Sequence, residues 1–221
     1  MKMNSQPPTA VKICGVTQIK QAIEIAKIGA DAIGVIGVDS SPRFVQEDKR
    51  RKIFGALEKE APSIERVWVV ANLNLNEICE GLNGLGLPSI VQLHGQESRE
   101  RCEVLRNKHP NIKWWKAFQI RQQSDLILAQ NYQGSVDAIL LDAWSEKALG
   151  GTGARVPIEW LKTIDLKTPW WLAGGISSDL IEEISSQINP FGIDASSKLE
   201  THPGIKNIQK VNDLINKVKK K

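Results

Sequence analysis

The chain has 221 residues, with 29 Lys+Arg against 25 Asp+Glu and only three cysteines. An apolar fraction of 41% and a charged fraction of 24% are globular values and exclude a disordered chain. The formal charge of +4 is matched by Lys217, Lys219, Lys220 and Lys221 alone, so the excess reads as a lysine tail and not as a basic face for nucleic acid.

Cysteines scattered at 14, 79 and 102 make no disulfide framework and fit a reducing cytoplasm. His94, His109 and His202 stand in no zinc-like spacing with them, so no metal is expected. The longest apolar runs are strand-sized, well short of the ~20 residues a membrane span needs. Residues 1–10 have no apolar core and read as a flexible end.

From residue 11 onward the pattern alternates between two periods. Residues 11–14 are a short β-like run. Thr17 then reads as an N-cap, with Ile19, Ala22, Ile23 and Ala26 on one helix face and Gly29 at the C-cap. Residues 31–38 are apolar enough for a strand buried on both faces. The same alternation then recurs. Helices are expected at 47–61, 74–86, 97–108, 122–132, 157–164, 177–188 and 205–219. Strands are expected at 64–71, 89–93, 112–118, 136–142, 169–173 and 191–195.

Strands alternating with helices predict βαβ units and a parallel sheet. An open doubly wound sheet shares this pattern. A dinucleotide-binding version, however, needs G-x-G-x-x-G after its first strand, where only Gly15 follows Cys14. Eight units instead predict a single (β/α)8 TIM barrel, eight parallel strands surrounded by helices, over residues 11–218, with a lysine tail at 219–221.

Barrel active sites lie at the carboxyl ends of the strands, so candidate residues can be read directly from those positions. Cys14 ends the first strand and shares strand parity with Lys12; a thiol beside a cation is a candidate nucleophile or general base. Cys79 and Cys102, on helices, read as inert core thiols. Asp142 follows an apolar run, where a carboxylate with a raised pKa serves as a general acid. Gly174-Gly175 and Ser196-Ser197 follow the seventh and eighth strands, the loops that hold phosphate in such barrels. Arg43 is a candidate carboxylate clamp, and His94 a hydrogen-bonding partner for substrate. Gly150-Gly151-Thr152-Gly153 lacks the ending of a P-loop and reads as a lid.

Lys12-Ile13-Cys14-Gly15, Ser41-Pro42-Arg43, Val91-Gln92-Leu93-His94-Gly95, Leu141-Asp142, Gly150-Gly151-Thr152-Gly153, Leu172-Ala173-Gly174-Gly175, Asp194-Ala195-Ser196-Ser197 and Pro203-Gly204-Ile205-Lys206 occur in this order. Together they resemble the phosphoribosylanthranilate isomerase family of tryptophan biosynthesis over residues 11–218. The resemblance implies a cofactor-free Amadori rearrangement of a small phosphorylated substrate by a monomer or homodimer. It implies Cys14 as general base and Asp142 as general acid. Arg43 would hold the anthranilate carboxylate and the last two loops the phosphate; Asp194 is the runner-up carboxylate for the acid role and is expected instead to support the phosphate loop. Two positions depart from the family: Lys198 stands where a glycine is usual, and Gly37 where an aromatic is frequent. A related phosphate-binding barrel, a Schiff-base lyase using Lys12, and a barrel that only binds its ligand are the alternatives.

Overall fold

The computed structural model describes residues 10–143 and 155–219. Eight short apolar runs form the strands β1 (Ala10–Cys14), β2 (Ala32–Ile36), β3 (Glu65–Val70), β4 (Ile90–Leu93), β5 (Lys113–Ile120), β6 (Ala138–Ala143), β7 (Trp170–Leu172) and β8 (Gly192–Ala195). All neighbours pair in parallel, and β8 returns to pair with β1, closing a barrel. Closure explains the near-continuous hydrophobicity of these runs. Val11 and Ile13 of β1 pack outward against the helices, while Ala10 and Cys14 pack inward.

The helices between them are α1 (Ile19–Ile28), α2 (Glu47–Glu60), α3 (Leu75–Gly81), α4 (Arg99–Lys108), α5 (Ser124–Gln130), α6 (Ile158–Leu161), α7 (Ile181–Gln187) and α8 (Ile208–Lys219). In α1, Gly29 takes the left-handed C-cap that the sequence predicts. The N-terminal expectation is corrected: the cap is Gln18, and the Thr17 hydroxyl donates instead to the Gly204 carbonyl at 2.8 Å. A tertiary partner outcompetes the local one there. Helix α3 stops at Gly81, short of the expected residue 86, but begins on a capping box between Asn74 and Glu77.

Two further corrections concern ends and edges. Lys217 and Lys219 are not part of a solvated tail. They lie in α8, where Lys217 pairs with Glu182 and Lys219 reaches Asp31 at 2.9 Å. A small antiparallel hairpin, β9 (Glu200–His202) with β10 (Ile205–Lys206), follows β8 and was not anticipated. It carries Glu200 and Lys206 back toward the barrel mouth.

Inside the barrel, Trp115 and Trp171 stack with centroids 4.7 Å apart among alanines and valines. The closing register makes Lys12 and Asp194 paired neighbours on adjacent parallel strands, so both side chains point inward. They meet as an ion pair at 2.7 Å, with Lys12 fully buried.

Candidate active site

At the carboxyl ends of the strands a cavity opens. Its lining includes Cys14, Arg43, His94, Asp142, Gly174, Gly175, Asp194, Ser196 and Ser197, so every candidate residue read from the sequence borders one space. The parallel sheet explains this convergence, because these residues lie at, or just beyond, the carboxyl ends of β1, β2, β4, β6, β7 and β8.

Cys14 is 7% exposed and ends β1 directly opposite Gly34 of β2. A Cβ on Gly34 would stand 2.7 Å from Cys14 Sγ, so this glycine makes the room the thiol occupies. Burial pushes the thiol above its ordinary range; Lys12 and Lys206 pull the other way without overcoming it. Lys12 itself remains charged: burial works against the ammonium, but Asp194 and Cys14 outweigh it.

Across the cavity, half-buried Asp142 faces His94, with Oδ2 3.6 Å from Nε2. His94 Nδ1 lies 3.1 Å from Gln92 Nε2. An amide nitrogen only donates, so Nδ1 accepts and the neutral ring keeps its proton on Nε2, toward Asp142. Behind His94, Glu97 accepts from the backbone N–H groups of Asn72 and Gly95 and pairs with buried Lys116 at 3.2 Å. That network fixes the loops following β3 and β4.

The expectations for Arg43 and Asp194 meet competing partners. Arg43 is 7% exposed, and its Nε and Nη2 are engaged by the Glu200 carboxylate at 2.9 and 2.7 Å. The bidentate grip expected on a substrate carboxylate is thus made on an internal one, leaving Nη1 outside the pair. Burial pushes Glu200 upward, but Arg43 and Lys206 together hold it below the usual carboxylate range. Asp194, expected to support the phosphate loop, lines the same cavity as Ser196 and Ser197. It lies on the barrel floor, tied through Oδ2 to Lys12.

Around the last two loops, Gly174 and Gly175 both have positive φ, +92° and +63°. A Cβ on Gly174 would lie 2.5 Å from that of Ala143, so only glycine fits there. Ser196 Oγ donates to the Cys14 carbonyl at 3.0 Å, and Lys206 Nζ reaches the Ser196 carbonyl at 3.3 Å and Glu200 at 2.7 Å. Lys198 is exposed at the cavity rim, and among described non-glycine residues only Asn72 has positive φ. The lysine that replaces a customary glycine is therefore unstrained. The space an aromatic at Gly37 would need is already filled, since its Cβ would stand 2.5 Å from Trp68 Nε1.

The other thiols differ from each other. Cys102 is fully buried, its pKa pushed to about 12 mainly by burial, and is inert as expected. Cys79 is only half-buried, with Sγ 3.5 Å from His109 Nε2, and so is not the core thiol its helix face implied. The Gly150–Gly153 lid and Trp144 lie outside the described residues. Sequence reasoning missed Gln92, Glu200 and Lys206. Gln92 was detectable, since strand parity gives it the same face as His94.

A closed eight-stranded parallel barrel, with a thiol and a carboxylate lining a cavity at the strand ends, defines a (β/α)8-barrel enzyme. Comparison with known proteins narrows the class. Residues 11–217 match the family model described as N-(5'phosphoribosyl)anthranilate (PRA) isomerase. The N-(5'-phosphoribosyl)anthranilate isomerase of Synechococcus elongatus is 42% identical over 204 residues, covering 92% of this chain and 93% of that one. The crystal structure of phosphoribosyl anthranilate isomerase from Thermotoga maritima superposes with a TM-score of 0.82 at 26% identity, covering 96% of this chain and 100% of that one. Another structure of the isomerase, in complex with reduced 1-(o-carboxyphenylamino)-1-deoxyribulose 5-phosphate, gives a TM-score of 0.78 at 26% identity, with coverage of 96% and 100%. The chain belongs to the phosphoribosylanthranilate isomerase family.

Proposed function

We propose that Cys14 and Asp142 act as base and acid in converting N-(5-phosphoribosyl)anthranilate to 1-(2-carboxyphenylamino)-1-deoxyribulose 5-phosphate. The reaction is that of the family, an isomerisation in tryptophan biosynthesis. The observation that carries the assignment of roles is one cavity bordered by Cys14 from β1 and Asp142 from β6.

Asp142 protonates the furanose ring oxygen, and the bond from that oxygen to C1′ breaks to give a Schiff base. The Cys14 thiolate then removes the C2′ proton, and the resulting enolamine tautomerises to the ketone. No cofactor enters these steps; the two groups must hold opposite protonation states at one pH, and they occupy different environments. The His94 Nε2 proton, directed at Asp142, stabilises the carboxylate left after proton transfer. Phosphate is held by the backbone of Gly174-Gly175 and Ser196-Ser197, with Lys198 at the rim adding charge. The anthranilate carboxylate is received beside Arg43, whose geometry Glu200 sets.

All these residues border the cavity of a single chain, so monomer and homodimer are alike competent. Three free cysteines, one of them the base, suit a reducing cytoplasm, where Cys14 stays a thiol. Among the described residues no helix is long and apolar enough to cross a membrane.

The test is a fluorescence assay of purified protein with freshly prepared phosphoribosylanthranilate, coupled to consumption of the product. Turnover is expected. A well-folded protein without turnover would favour a barrel that only binds its ligand.

A further inference from the structure

Among the described residues lining the cavity, two buried polar atoms have no hydrogen-bond partner, Gln92 Oε1 and Asp194 Oδ1. Gln92 is 1% exposed, and its Nε2 lies 3.1 Å from His94 Nδ1. Folded proteins satisfy nearly all such groups, so an orphaned acceptor at a cavity wall calls for a functional explanation. Leucine or methionine would fill the same volume without an unpaired oxygen. What Gln92 offers beyond volume is an unpaired acceptor on a side chain that lines the cavity.

Substrate chemistry identifies the donor. In the furanose form of phosphoribosylanthranilate the phosphate and carboxylate are ionised, and the ring oxygen carries no proton before opening. The 2′-hydroxyl becomes the ketone, and the anilino N–H belongs to the reacting aminal. Only the 3′-hydroxyl persists unchanged from substrate to product. The two orphans lie on different walls: Asp194 on β8, against Lys12 and near the base, and Gln92 on β4, beside His94.

We propose that Gln92 is a specificity-determining residue, its Oε1 accepting a hydrogen bond from the 3′-hydroxyl of the bound sugar. The inference rests on the phosphoribosylanthranilate reading above and deepens it. A site built around a substrate hydroxyl rejects the analogue that lacks it, because a buried acceptor is then left unpaired.

The experiment compares kcat/KM for phosphoribosylanthranilate and its 3′-deoxy analogue, the latter made by condensing 3-deoxyribose 5-phosphate with anthranilate. The wild type should prefer the parent by about 10- to 100-fold. In Gln92→Met, which keeps the volume and loses the acceptor, the preference should fall to within about 3-fold. Gln92→Asn, which draws the amide back by one methylene, should lose it as well; thermal unfolding checks that each variant is folded. Equal use of both substrates by the wild type, or an undiminished preference in a folded variant, overturns the proposal. Failure of the wild type on the parent substrate would instead refute the activity on which it rests.

Discussion

Burial raises the pKa of Cys14 even though Lys12 lies beneath it, because Asp194 neutralises that lysine and itself opposes the thiolate. The thiolate fraction then grows as pH rises through the raised thiol pKa. The rate of iodoacetamide alkylation should therefore climb through the alkaline range, with no plateau at neutral pH. Asp194→Asn removes a negative neighbour and frees the charge of Lys12, two changes of the same sign, so the alkylation curve should move to lower pH. An unmoved alkylation curve would contradict this account of the thiol. Cys14→Ser and Asp142→Asn should each lower kcat by at least ~10²-fold while leaving circular dichroism unchanged. Near-normal turnover by either variant would remove that residue from the mechanism.

At the scale of elements, the cavity depends on connections made after the strands end. Helix α3 starts where Asn74 Oδ1 accepts from the N–H groups of Asn76 and Glu77, at 2.9 and 3.0 Å. Asn74→Ala should cost about 1 kcal/mol in urea unfolding, with kcat little changed because the cap lies outside the cavity lining. The β9–β10 hairpin acts differently. Its Glu200 clamps Arg43, so Glu200→Gln should loosen the guanidinium and raise KM more than it lowers kcat. Steady-state kinetics with equal effects on both would show that the clamp does not act through binding. The strand–helix alternation was legible in the sequence because burial on one or two faces imposes its period. The hairpin was not, since two- and three-residue strands carry no period, and the Thr17 cap was overruled by a carbonyl 187 residues away.

At the scale of the whole molecule, closure of the barrel creates the Lys12–Asp194 pair, whose members are 182 residues apart. A buried pair is costly to break from one side only. Lys12→Met should destabilise the fold by about 3–5 kcal/mol, since it strands a carboxylate in the interior. Lys12→Met combined with Asp194→Leu should recover most of that loss in denaturant unfolding, although without activity. A double variant no more stable than the single one would mean that the pair holds the barrel together rather than tuning the thiol. Closure also brings together the ends of α8 and the body, where Lys217 and Lys219 find Glu182 and Asp31.

The sequence by itself determined the barrel class and the placing of Cys14, Arg43, His94, Asp142 and the last two loops at one cavity. Each of these follows from local period and from the rule that parallel strands deliver their carboxyl ends to one face. Only the tertiary structure decided which charges meet. Arg43 is spent on Glu200, Asp194 on Lys12, Lys217 on Glu182 and Lys219 on Asp31. The physical reason is range. Side-chain periodicity acts over a few residues and is written in the chain, whereas these partners lie from 35 to 188 residues apart. Their meeting depends on the register with which β8 joins β1 and on the path of the chain beyond it, and no local pattern encodes either.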